Sequence, residues 1–203
     1  TQSGILTITV TDTSSFTTSA NNATITLNNA NAFTDAVALN TTGSSAHATV
    51  RDASGLKLGA SVVGGILTAT VNNGHITQDG ALTITGAATF ITETTSKNII
   101  LDQDNAFASS VTMQAGNGDN AAFNHITFKD RGGVDLVSST PSAGDLFIDA
   151  STDLDVDGAL SITATTGNIT QGSELAVGLT STFTTSASDG TITLNDADNT
   201  FTG

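Results

Sequence analysis

One pattern occurs three times in this chain, and that recurrence limits its fold more than any other feature. Ile76-Thr77-Gln78 is followed by Leu82, Ile84, Phe90, Leu101 and Phe107. Thr1-Gln2 leads in the same way to Leu6, Ile8, Phe16, Leu27 and Phe33, and Ile169-Thr170-Gln171 to Leu175, Val177, Phe183, Leu194 and Phe201. Each time the first Phe precedes the Leu by 11 residues, at 16 and 27, 90 and 101, 183 and 194. A chain that returns to one pattern at such intervals stacks equivalent units, each burying its apolar side against the next. Gln2 and Gln78 are 76 residues apart, and Gln78 and Gln171 are 93 apart. Both intervals divide into steps of about nineteen residues, near one turn of a β-solenoid. The longer interval then holds one added turn, within residues 125–165.

The local pattern is that of strands. Leu6-Thr7-Ile8-Thr9-Val10, Thr24-Ile25-Thr26-Leu27, Leu82-Thr83-Ile84-Thr85 and Thr191-Ile192-Thr193-Leu194 alternate apolar and polar residues strictly, which is how half-buried strands read. Turn residues separate them, as at Asn21-Asn22, Gly64-Gly65 and Asn72-Asn73-Gly74. No stretch keeps a helical period over the ten or so residues a helix needs. The expected architecture is all-β without helices: a parallel β-solenoid of about nineteen residues per turn. It forms a single segment over residues 1–203, with repeat starts near 1, 76 and 169. A Greek-key sandwich also uses short strands, but its strand count is fixed and it does not absorb an extra step between unchanged flanks. The apolar member of each alternation faces inward on this reading, from Leu6, Ile8 and Phe16 at one end to Phe183, Ile192 and Leu194 at the other.

Composition bears on partners. Five Lys and Arg stand against nineteen Asp and Glu, for a formal net charge of −14. Phosphate backbones and anionic membrane surfaces require clustered cations, so neither nucleic acid nor a membrane is expected as a partner. No apolar run approaches the roughly 18 residues of a spanning helix. The aromatics are nine Phe with no Tyr or Trp, which suits a thin core of stacked small residues. The chain begins and ends inside a repeat, as expected of a segment of something longer.

Gly144-Asp145-Leu146-Phe147-Ile148-Asp149-Ala150, Leu154-Asp155-Val156, Leu160-Ser161-Ile162-Thr163-Ala164 and Gly167-Asn168-Ile169-Thr170-Gln171 follow one another closely. This succession resembles the repeats of filamentous-haemagglutinin-type adhesins, which are large secreted bacterial exoproteins. The resemblance implies a right-handed parallel β-helix exported to the cell surface.

Four groups of residues are candidates for chemistry. Asp153, Asp155 and Asp157, followed by Gly158, have the spacing that opens a calcium loop and offer three hard oxygen donors. Ala164 stands where a bidentate Glu would close such a shell, and the plainer reading is three outward Asp on a strand whose Leu154 and Val156 face in. No other cofactor is expected. His47, His75 and His125 each stand two residues before a Thr, which points to a shared strand position more than to a metal site, since a metal needs its ligands together. Arg51-Asp52 and Lys129-Asp130-Arg131 place a base beside an acid, as an acidic-polysaccharide lyase would, but read more simply as solvated turns. The Thr-x-Thr steps at Thr24-Thr26, Thr68-Thr70 and Thr163-Thr165 resemble the arrays of ice-binding solenoids, without their constant spacing.

The expected function is a non-enzymatic structural or adhesive segment of a long extracellular fibre, with no catalytic residues. Its expected partners are neighbouring copies or further repeats joined end to end by β-augmentation, and cell-surface glycans or proteins. The alternative is a carbohydrate-binding or carbohydrate-active β-helix, and after it an ice-binding solenoid.

Overall fold

Alternating β-branched residues favour extended backbone, and Gly, Asn and Ser at regular breaks allow it to turn, so the chain becomes a succession of short strands. The computed structural model describes residues 1–2, 4, 6–94, 96–115, 125–131, 133–136, 145–148, 154–156, 159–164, 168–171 and 174–203. The first repeat contains β1 (Thr9–Val10), β2 (Ser14–Thr17), β3 (Ile25–Phe33), β4 (Val37–Asn40), β5 (Ala48–Asp52), β6 (Leu56–Leu58), β7 (Ser61–Val63) and β8 (Leu67–Val71). The second contains β9 (Ile76–Gln78), β10 (Leu82–Ile84), β11 (Ala88–Thr92), β12 (Ile99–Phe107), β13 (Ser110–Ala115), β14 (Ile126–Asp130), β15 (Gly133–Leu136), β16 (Asp145–Ile148), β17 (Leu154–Val156) and β18 (Leu160–Ala164). The third contains β19 (Ile169–Gln171), β20 (Leu175–Val177), β21 (Ser181–Thr185), β22 (Ile192–Thr193) and β23 (Thr200–Phe201).

The described residues form no helix, and their strands pair in parallel. One sheet runs β1-β3-β5-β8-β11-β13-β16-β15-β19-β22. A second runs β10-β7-β4-β6-β9-β12-β14-β18-β21, with β2 on β4, and a third runs β17-β20-β23. The result is a β-solenoid of about 6 turns.

The rung is longer than the expected nineteen residues: about 23 separate bridged partners. Ile25 lies opposite Ala48, Ile76 opposite Ile99 and Ala88 opposite Val111, and only a step such as Ala48 to Leu67 keeps the shorter length. The turn from Ala48 to Leu67 fits β5, β6 and β7 into the shorter length, so the extra residues of the turn from Ile25 lie in β3, which takes four residues from Leu27 to Asn31 where β5 takes two, and in the longer corner between Asn40 and Ala48.

Those two nine-residue strands share one burial pattern, inward at both ends and pushed out in the middle. Leu27 faces Val50 and Asn31 faces Asp52, so β3 spends four residues where β5 spends two. β12 does the same against β14, from Leu101 opposite Phe128 to Asn105 opposite Asp130. Such a bulge bends the strand while keeping its inward alternation, so Asn31 and Asn105 enter the core.

The sequence repeat does not close on whole turns. The Gln2 N–H donates to the Thr26 carbonyl at 2.7 Å, on β3 in the first sheet. Gln78 lies on β9 in the second sheet, and Gln171 on β19 is back in the first. At about 23 residues per turn, the 76 residues between the first two Gln amount to three turns and roughly a third. Further along, Ile126 lies opposite Leu160, a step of 34 residues that also carries β15, β16 and β17.

Inward Leu, Ile, Val and Phe form one core cluster from Ile25 to Val177. Each fully buried side chain of this kind contributes about 1.5–3 kcal/mol against its exposed state. The Phe residues of the repeats meet edge to face, Phe16 with Phe33 at 5.9 Å, Phe90 with Phe107 at 6.1 Å and Phe183 with Phe201 at 6.2 Å. Two positions read as inward are instead exposed, Leu6 at 66% and Ile192 at 44%. Both lie in end rungs, where a neighbour covers one side only. Leu146, Ile148, Leu154 and Val156 belong to β16 and β17, which are described as backbone.

Candidate functional site

The most regular polar constellation in the molecule grows out of the Gln that opens each repeat. Gln78 Nε2 donates to Asn105 Oδ1 at 2.6 Å, and Asn105 Nδ2 returns a bond to Gln78 Oε1 at 3.1 Å. Gln2 and Asn31 form the same reciprocal pair at 2.5 and 3.2 Å. Gln171 Nε2 donates to Asn199 Oδ1, and Asn199 Nδ2 to Gln171 Oε1 at 3.0 Å. In each case the Asn oxygen also accepts a backbone N–H one rung below, from Ile8, Leu82 or Leu175, at 2.9 Å. Asn31 and Asn105 are wholly buried, so each pair satisfies groups that would otherwise be stranded in the core. The signal was present in the sequence as Asn-x-Phe, at Asn31-Ala32-Phe33, Asn105-Ala106-Phe107 and Asn199-Thr200-Phe201.

A second lock joins that bulge to the rung above. Asn31 Nδ2 donates to Arg51 O at 3.1 Å and Asn105 Nδ2 to Lys129 O at 2.9 Å. The Phe33 N–H donates to Asp52 Oδ2 at 2.7 Å, and the Phe107 N–H to Asp130 Oδ1 at 3.0 Å. Asp52 Oδ1 further accepts the N–H groups of Ser54 and Gly55.

This corrects the reading of Arg51-Asp52 and Lys129-Asp130 as solvated turns, because both Asp are buried at the ends of β5 and β14. Successive strand residues face opposite ways, so each cation points out while its neighbouring carboxylate points in. Arg51 pairs with Glu93 at 2.6 Å and Lys129 with Asp104 at 2.6 Å. Lys57 pairs with Asp35 at 3.0 Å. The Lys57 hydrogen bond and charge hold the Asp35 carboxyl below its ordinary 3.8, and Asp35 raises Lys57 above 10.5. Lys129 lowers Asp104 by the same means. These pairs join one rung to another across an exposed surface, where an ion pair contributes little.

The three His share one position, on the corner before β5, β9 and β14, and one task. His47 Nδ1 accepts the Ile66 N–H at 2.9 Å, His75 Nδ1 that of Asn98 at 2.9 Å, and His125 Nδ1 that of Ala159 at 3.0 Å. Asn98 Oδ1 accepts the His125 N–H at 3.1 Å, so His75, Asn98 and His125 form a ladder up one corner. With Nδ1 as acceptor each imidazole carries its proton on Nε2.

Thr26, Thr49, Thr68, Thr89 and Thr112 stand in register on the first sheet. Only part of this column was legible as Thr-x-Thr. The neighbouring column reads Arg51, Thr70, Ile91 and Gln114, so the threonines run in single file beside an ion pair. A groove of about 400 Å³ crosses four rungs elsewhere, lined by Thr13, Ser14, Ser15, Ala38, Asp79 and Gly80 among others. Asp153 and Asp157 of the calcium candidate lie outside the described residues, and Asp155 is seen as backbone opposite Ala176.

What the constellations share is direction. Amide pairs, carboxylates, imidazoles and ion pairs all run along the axis, each tying one rung to another. A family model described as repeats of unknown function (DUF5649) matches residues 1–40, 45–114 and 124–203. The second and third matched stretches open just ahead of β5 and β14, the strands that carry the buried Asp. No curated protein and no solved structure matches the chain.

Proposed function

Since the chain belongs to this family of repeats of unknown function (DUF5649), we propose that its work is that of its architecture: a non-enzymatic structural and adhesive segment of a long extracellular fibre. One observation carries the reading. The contacts that recur are axial, in the Gln–Asn pair and the edge-to-face Phe pair of each repeat. Apart from the file of threonines, the lateral surface differs from rung to rung: the five cations are scattered and the column beside the threonines is mixed. A body that repeats its axial joints and varies its sides is suited to extension, and its exposed strands to contact with glycans or proteins of a cell surface.

The resemblance to filamentous-haemagglutinin-type repeats supports a secreted bacterial setting and a right-handed coil. The net charge of −14 keeps rods apart side by side while leaving stacking along the axis open. Imaging of the native particle, with fibre diffraction of oriented material, tests this. A filament with an axial repeat near 4.8 Å supports it, and a discrete particle that cleaves an acidic polysaccharide overturns it.

The groove across four rungs favours a second reading, carbohydrate binding. Its volume of about 400 Å³ lies within the usual range for ligand clefts. It has no aromatic platform for a sugar ring, which places this reading behind the first.

A further inference from the structure

We propose that the lateral groove binds a linear amino sugar, with a protonated sugar amine seated on the Asp79 carboxylate. The proposal rests on the second reading above, carbohydrate binding, and names the chemical class of the ligand. The groove follows one column of the second sheet. Ser15 lies opposite Ala38. Val37 lies opposite Leu58 and Leu58 opposite Gln78, so the next residues, Ala38, Gly59 and Asp79, stand in file above Ser15. The Gly59 N–H donates to the Val37 carbonyl and the Asp79 N–H to that of Leu58, which carries the ladder through this file. All four residues line the groove. Three rung spacings of about 4.8 Å give it a length of roughly 14 Å, which suits a chain laid along the axis better than a single ring. Its part from Ala36 to Gly80 lies on strands and corners covered by rungs on both sides.

The hollow comes from a missing side chain that the backbone does not require. At Gly64, Gly74, Gly80 and Gly86 a Cβ would fall within 3.0 Å of backbone in the rung below, so the stack itself demands glycine there. Gly59 is different. A Cβ on it would meet Ala36 and Ala38 at 3.5 Å, an ordinary contact, and its φ is not positive. The fold accepts a side chain at this point, and glycine leaves the groove open.

Charge selects the ligand. Asp79 is exposed and is the one ionisable residue of the lining. Among the described residues its carboxylate makes no hydrogen bond or ion pair, because Lys57, whose charge it favours, is bonded to Asp35 at 3.0 Å. One ammonium between two carboxylates leaves this side of the rod acidic. A neutral sugar would leave that charge unanswered, and a uronic acid would be repelled by it. An amine answers it, while the Thr13 and Ser15 hydroxyls suit the hydroxyls of a sugar chain. The net charge of −14 further concentrates cationic ligands at the surface.

The test is calorimetric titration of the 203-residue chain with a linear glucosamine oligomer and with its fully N-acetylated counterpart, at mildly acidic pH and about 0.15 M salt. The amine form is expected to bind at least about tenfold more tightly. Asp79→Asn removes the charge-assisted bond and should weaken binding about tenfold. Asp189→Asn makes the same change of charge at an exposed place outside the groove and should bind as wild type, which separates the groove from general attraction to an acidic body. Gly59→Leu should abolish binding with an unchanged unfolding midpoint. Should that variant lose its fold, Ala38→Leu fills the same groove from an outward strand position. Equal losses in the two Asp variants, or binding indifferent to Asp79 and to a filled groove, overturn the proposal. If the acetylated oligomer binds as tightly and Gly59→Leu blocks both, the amine assignment falls and the carbohydrate reading stands. If neither oligomer binds, both fall.

Discussion

At the residue scale the fold depends on a few buried polar groups whose positions are set by the bulges. Asn105 accepts from Leu82 N and Gln78 Nε2 and donates toward Gln78, Leu101 and Lys129, all from a site with no solvent. Asn105→Ala leaves a buried N–H and a buried amide unpaired, and should cost about 2–4 kcal/mol in chemical denaturation. Asn29→Ala, whose amide lies at the surface, should cost no more than about 1 kcal/mol. The Gln of each repeat was legible as a marker, yet its partner was not. Asn is an ordinary turn residue in so Asn-rich a chain, and 27 to 29 residues separate it from the Gln it meets. The His were legible as a shared position, and their bonds explain it. Asn98 fills the same corner as His75 and His125 with a carboxamide. His75→Asn should therefore leave the unfolding midpoint within about 0.5 kcal/mol of wild type, while His75→Ala, which removes the acceptor, should lose about 1 kcal/mol.

At the scale of the element, strands were read correctly where apolar and polar residues alternate, down to the three residues of β6 and β10, and missed where a polar residue holds an inward place, as Ser61 does in β7 and Asn31 and Asn105 do in the far halves of β3 and β12. A rung grows from nineteen residues to about 23 through bulges such as that of β3 and longer corners such as that between Asn40 and Ala48. Spacing along a chain counts residues and is blind to how many corners they turn, so the shift of the repeat by a third of a turn became visible only with the pairings. Corners also carry the tightest steric demands. A Cβ on Gly74 would fall inside the Ser54 carbonyl of the rung below, which is backbone and cannot move aside without opening the ladder. Gly74→Ala should therefore destabilise by about 1–3 kcal/mol or more, whereas Gly4, with open space around it, has only its left-handed φ of 68° to constrain it.

The ion pairs between strands have a defined acid response. Asp35 and Asp104 have lowered pKa values, so their contribution is present above the unfolded value of about 3.9 and lost as pH falls through the folded one. The small advantage of wild type over Lys57→Met and Lys129→Met, read from denaturation midpoints, should shrink to nothing between about pH 4 and pH 2.

For the whole molecule the decisive property is that stability is shared between neighbours. In a stack of rungs each interior unit is held from both sides and each end unit from one, so local opening begins at the ends and costs more toward the middle. The burial already follows this gradient. Phe90 and Phe128 have no accessible surface worth the name, at 0% and 1%, while their end-rung counterparts Phe16 and Phe183 are only partly buried. Amide exchange should reproduce it, with Ile76, Leu82 and Ile99 among the slowest amides and those of residues 8–17 and 192–202 among the fastest. Uniform exchange across these groups would mean that the chain opens as one globular unit and that the rungs do not act as separate links.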